Sequence, residues 1–86
     1  MSSQIQGGRP ERIEIETWMR EQLAIRLRMP ANEIDITQPL AYYGVDSMMS
    51  LSLLGDLEVW LDRKIDATKL WEHPTIETLA RYLAIP

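Results

Sequence analysis

Tyr43-Gly44-Val45-Asp46-Ser47-Met48-Met49 is a glycine turn that runs through an acid and a serine into a strongly apolar stretch. From Met48 to Leu61 apolar side chains recur at Leu51, Leu54, Leu57 and Leu61, with Leu53 on the flank. At about 100° per residue this spacing predicts a helix from Ser47 to Asp62 with that leucine stripe buried. Met48, Met49, Val59 and Trp60 then fall on or near the opposite side. Gly44 lets the backbone turn sharply, and Asp46 is placed to cap the first free N–H groups of the helix. Those groups and the positive end of the helix dipole make the spot receptive to a phosphate on Ser47. Taken alone, Asp46-Ser47 reads as nothing more than a helix cap, as it is in most proteins.

Upstream, Ile15, Met19, Leu23 and Leu27 recur every four residues with Trp18 beside them. This predicts a first helix, opened by Pro10 and ended before Pro30. Glu11, Glu14 and Glu16 crowd its first half and Arg20, Arg26 and Arg28 its second, the order the helix dipole favours. Between Pro30 and Tyr43 the prolines and the Asn32, Asp35, Thr37 cluster predict a loop pinned by Ile34, Ile36 and Leu40. Downstream, Asp66 is expected to cap a short helix over Ala67 to Glu72, whose Leu70 and Trp71 cover the bundle. Pro74 ends it, and Thr75 caps a last helix with Ile76, Leu79, Ala80 and Leu83 inward. Gly55, inside the second long helix, is expected to permit close approach of another helix or a partner. The expected fold is an all-α bundle of three main helices plus one short helix, with 1–8 a flexible lead and 9–86 the domain.

The 86 residues are 45% apolar and contain no cysteine, so one modest core held by packing is expected, without disulfides or a thiolate metal site. No apolar run is long enough to span a bilayer and no secretory leader is visible, which reads as a cytoplasmic chain. The net charge is −4, and from Pro30 to Asp62 there are six acidic residues and no Lys or Arg. That acidic half, which carries Ser47, argues against nucleic acid and for partners with basic docking surfaces. Catalytic groups are sparse. The single histidine, His73, reads as a solvated loop residue, and a triad of Ser47, His73 and Asp46 is disfavoured because adjacent Asp46 and Ser47 suit a cap. The carboxylates are scattered singly, so no metal site stands out.

Gly44-Val45-Asp46-Ser47-Met48, the leucine-rich helix after it, and Trp71-Glu72-His73-Pro74-Thr75 at the right distance together resemble the acyl carrier proteins of polyketide and fatty acid synthesis. The resemblance runs from about Glu11 to Ala84, and it implies an acyl-carrier-like bundle. It further implies that Ser47 accepts a 4′-phosphopantetheine group from coenzyme A, with Asp46 and Gly44 matching the family's acid and turn glycine. The chain would then carry acyl thioesters without catalysing anything itself. The implied partners are a phosphopantetheinyl transferase, a loading acyltransferase or fatty acyl-AMP ligase, and a ketosynthase or other tailoring enzymes, met by a monomer. Asp rather than His before Ser47 favours an acyl over a peptidyl carrier, and the Gly55 to Leu61 run looks like modular polyketide lines. Helix two is the family's recognition helix. Here it offers Met48, Met49, Asp56, Val59 and Trp60, more apolar than the acid-rich fatty acid synthase type. The alternative from another class is a small helical docking module without a modified serine; a small hydrolase is a distant third.

Overall fold

Helix α1, Arg12–Leu27, begins where Glu14 reaches back to accept from the Glu11 backbone N–H at 2.7 Å, one half of a capping box. Pro10 lies outside the residues that the computed structural model describes, which are 11–84. The helix buries Ile15, Met19 and Leu23 on one stripe and ends at Arg28, whose φ of 57° turns the chain out of the helix. The order continues with α2 (Ser47–Leu61), α3 (Thr68–Glu72) and α4 (Ile76–Ala84); there is no strand among the described residues. Helix α4 packs most extensively on α1, and its Ile76, Leu79, Ala80 and Leu83 are all buried. Thr75 caps α4 as expected: its hydroxyl accepts from the Thr78 N–H at 3.0 Å.

The segment between α1 and α2 is self-packed and contains two single turns of 3₁₀ helix, Ala31–Glu33 and Leu40–Tyr43. Ile34 and Leu40 are buried and Ile36 packs against the core, so all three predicted pins hold. Polar groups complete the fastening. The Asp35 carboxylate accepts from the Thr37 hydroxyl (2.6 Å) and N–H (2.9 Å), which together hold its pKa below the ordinary value. The Leu40 N–H donates to the Pro74 carbonyl at 2.9 Å and the Glu77 N–H to the Ile36 carbonyl at 3.0 Å. The loop that leads into α2 is thereby tied to the entry of α4.

Two expectations are corrected, and one of the two alternatives for Gly55 is removed. Within α2 the buried residues are Ser50, Leu53, Leu54 and Leu57, whereas Leu51 is 50% exposed. The helix is rotated so that Leu53 replaces Leu51; residues 51 and 57 are roughly 120° apart around the axis and cannot both face inward. Trp71 is 59% exposed instead of covering the bundle, leaving Leu70 as the buried member of α3. Gly55 is exposed, and a Cβ built on it meets nothing within 4 Å, so no helix among the described residues approaches it closely. Asp66 does close the start of α3, one residue ahead of where a simple cap would lie. Its carboxylate accepts from both the N–H and the hydroxyl of Thr68 at 2.9 Å, which lowers its pKa.

Candidate functional site

Four consecutive residues carry the chain into α2, each by a different physical device. Gly44 has φ of 82°, a left-handed conformation that side chains other than glycine adopt at a cost, and its N–H donates to the Ala41 carbonyl at 3.0 Å. Val45 is buried and anchors the turn. Asp46 is extended, and its carboxylate accepts from the Met49 N–H at 2.8 Å while its carbonyl accepts the first helical bond, from Ser50 at 2.9 Å. Ser47 is the first residue of the helix proper and is exposed. With Val45 buried and Asp46 bonded to the Met49 N–H, the Ser47 backbone is fixed at the helix mouth and its side chain is exposed.

The electrostatics suit an anion on that hydroxyl. Helix α2 has no acidic residue in its first turn and only Asp46 just before it, and the Met49 N–H is already satisfied by Asp46. The Ser47 and Met48 N–H groups precede the first intrahelical donor, Ser50, so they supply the positive helix end at the point where a phosphate on Ser47 would lie. A phosphodiester arm therefore fits this serine chemically. The hydrolase arrangement does not assemble: Asp46 is committed to the Met49 N–H, and the His73 ring stacks on Tyr82 at 4.8 Å between centroids. Among the described residues no cluster of His, Cys, Asp or Glu could hold a metal ion.

Of the five residues expected on the recognition helix, Met48 and Val59 are about four-fifths exposed, at 80% and 81%. The other three have partners within the chain. Met49 is half-buried against the core, Asp56 pairs with Arg26 of α1, and the Trp60 indole stacks on Trp18 at 5.0 Å and 8° between planes. Residues 49, 56 and 60 lie on one flank of α2, and Asp56 and Trp60 clasp α1 from it.

Beside the serine, a cleft of about 180 Å³ opens between the Leu40–Tyr43 turn, α2 and α3. It is lined by Pro39, Leu40, Ala41, Val45, Ser50, Leu70, Trp71 and Pro74. None of Leu51, Leu54, Leu57 or Gly55 contributes to it. Ser50 is an inward residue that the leucine spacing does not mark, although it stands three, four and seven places before Leu53, Leu54 and Leu57.

A carrier-type bundle with an exposed, capped serine at the mouth of its second long helix matches known proteins over most of its length. The family model described as phosphopantetheine attachment site matches residues 17–83. The chain belongs to that family. Its members carry a 4′-phosphopantetheine prosthetic group, and this carrier domain shares their all-helical fold. Among solved structures it is similar to an acyl carrier protein from Anabaena sp. PCC 7120 with a variant phosphopantetheinylation-site sequence (30% identity, TM-score 0.83, 96% of each chain). It is also similar to a free-standing peptidyl carrier protein from an uncharacterized Acinetobacter baumannii secondary metabolic pathway (36% identity, TM-score 0.79, 85% of this chain and 91% of that one). A curated relative is one component of the phenolphthiocerol/phthiocerol polyketide synthase of Mycobacterium tuberculosis, 37% identical over 73 residues. The match takes in 85% of the carrier domain but only 4% of the synthase component. No helix among the described residues is long and apolar enough to cross a membrane.

Proposed function

We propose that Ser47 bears the 4′-phosphopantetheine arm and that the chain carries acyl intermediates of polyketide or related fatty acyl biosynthesis as thioesters on it. The observation that carries this reading is the exposed Ser47 hydroxyl at the open N-terminus of α2, capped by Asp46 and aimed by the Gly44 turn. A separate phosphopantetheinyl transferase supplies the group from cytoplasmic coenzyme A. A loading enzyme, either an acyltransferase or a fatty acyl-AMP ligase, then acylates the arm's thiol, and a ketosynthase or tailoring enzyme draws on it. The domain orients the arm and leaves the chemistry to these enzymes. Met48 and Val59 are the most exposed large apolar side chains of α2 and are free to meet them. The kinship with a polyketide synthase supports that pathway class.

The cleft beside Ser50 lies next to the arm's root and would admit only a short chain, because ordinary ligand pockets are larger, on the order of 300–1,000 Å³. Intact mass after incubation with coenzyme A, magnesium and a broad-specificity transferase tests the assignment. Wild type is expected to gain one phosphopantetheinyl group and Ser47→Ala none, with both melting alike to within about 1 kcal/mol. No gain on folded wild type, with a known carrier modified alongside, would transfer the reading to an unmodified docking module.

A further inference from the structure

We infer that Ser50 sets the cargo preference of the cleft beside Ser47: its hydroxyl pairs with an oxygen on a short acyl chain, so that an oxygenated group is held there over a saturated one. The inference rests on the carrier reading of Ser47 and deepens it by naming the class of acyl group that this domain shelters. It starts from a residue out of place. Ser50 stands with Leu53, Leu54 and Leu57 on the buried side of α2 and is 5% exposed, yet its hydroxyl makes no hydrogen bond among the described residues. A buried hydroxyl without a partner is unfavourable, and a serine inside a helix commonly donates to the carbonyl four residues back. Here the Asp46 carbonyl takes the Ser50 N–H at 2.9 Å and not the hydroxyl. Alanine would serve the isolated helix better.

Ser50 lines the cleft of about 180 Å³ between the Leu40–Tyr43 turn, α2 and α3, and the rest of that wall offers a polar ligand little. Its two prolines and its Leu40, Ala41, Val45 and Leu70 have no polar side-chain atoms. Several backbone groups of the wall are engaged as well: the Leu40 N–H donates to the Pro74 carbonyl at 2.9 Å, and the Ala41 and Leu40 carbonyls accept from the Gly44 (3.0 Å) and Val45 (3.4 Å) N–H groups. The Trp71 indole N–H is the other side-chain donor, on a residue that is 59% exposed. An indole only donates, whereas the Ser50 hydroxyl both donates and accepts.

Tether and volume select the occupant. Ser50 follows Ser47 by three residues, about 4.5 Å along the helix axis and on a neighbouring face. Cargo tethered at Ser47 is therefore within reach of the cleft. A cavity of about 150 Å³ takes a ligand of benzene size, so this one holds roughly six non-hydrogen atoms, the size of a hydroxylated four-carbon acyl group. A saturated chain that enters strips the Ser50 hydroxyl of water and leaves it unpaired. A chain with a hydroxyl or keto oxygen restores the bond, and a site of that kind discriminates against the analogue that lacks the oxygen.

The test loads the carrier from butyryl-coenzyme A or 3-hydroxybutyryl-coenzyme A with a broad-specificity phosphopantetheinyl transferase and follows cleavage of the thioester by hydroxylamine, read by intact mass. Each rate is divided by that of the same acyl group on free coenzyme A, which removes the thioester's own reactivity. In wild type the hydroxylated group is expected to be cleaved about fivefold more slowly than the saturated one after this correction, the factor one hydrogen bond supplies. Ser50→Ala should bring the two corrected rates to within about twofold of each other, without a lower melting temperature. A merely structural serine would change the opening of the cleft for both cargoes alike and leave their ratio as it was. Trp71→Phe, which removes the other donor, should keep the preference. Equal corrected rates in wild type, or a preference that survives in Ser50→Ala, overturns the inference. If Ser50→Ala does not melt cooperatively, Ser50→Cys, similar in size but a weak donor, decides in its place. Wild type that gains no acyl group at all overturns the Ser47 assignment instead, so the two failures are told apart.

Discussion

The two faces of α2 are built from the same residue types and do opposite things. Inward, Leu53, Leu54 and Leu57 are buried with Ser50 among them; outward, Met48, Leu51 and Val59 stand in solvent around Gly55. Hydrophobicity alone does not separate them, since both faces are apolar. The separation comes from what the rest of the chain brings to each. Leu70, Val45 and Leu40 belong with α1 and α4 to the core that covers one face, whereas the other is left uncovered by the described elements. A helix that is apolar nearly all round and covered on one side only has surface left for a partner.

The contrast is broken most severely by Leu57→Ala. That side chain is fully buried, and truncation is expected to destabilise the bundle by about 2–5 kcal/mol in urea or thermal unfolding. Trp60→Ala sharpens the boundary between the faces. Loss of the stack on Trp18 should cost about 1–2 kcal/mol, and normal acyl transfer to a partner enzyme would remove Trp60 from the recognition surface. Asp46→Ala removes the carboxylate that holds the Met49 N–H and is expected to cost about 1 kcal/mol, read by the same unfolding curves.

On the outer face, Val59→Ser should leave stability within about 0.5 kcal/mol of wild type; a larger loss would mean that the outward face is packed after all. The smallest effect concerns pH. Asp35 and Asp66 have carboxyls held below the ordinary value of 3.8 by hydrogen bonds from Thr37 and Thr68. Their contribution is complete above that value and is lost as pH falls through the lower native pKa values. Asp35→Asn should lower stability slightly at neutral pH, where the carboxylate's contribution is complete, and converge on wild type in acid, so that the acid limb of the stability curve is flatter.

Much of this is legible in single residues. The α4 stripe and the α1 stripe of Ile15, Met19 and Leu23 are inward as their spacing predicts, because each helix presents one narrow apolar face and has no choice of rotation. The turn at Gly44, the Asp46 cap and the Thr75 cap are local chemistry, settled within a few residues of chain. Helix α2 departs from its expected rotation for the converse reason. Five leucines, two methionines, a valine and a tryptophan surround its axis, so several rotations bury a similar apolar area. Trp18 and Trp60 carry no mark in the sequence that pairs them; they meet on the same flanks of α1 and α2 that the Arg26–Asp56 ion pair joins.

The sequence by itself determined an all-helical chain, the starts of α2 and α4, and a serine preceded by an acid and a glycine turn, because periodicity, capping and left-handed backbone depend on neighbours a few residues away. Only the tertiary structure decided which side of α2 is inside, that Trp71 and Gly55 are uncovered, and that the Leu40–Tyr43 turn is tied to Pro74. Those outcomes depend on which surfaces, distant in sequence, compete to exclude water from the same helix.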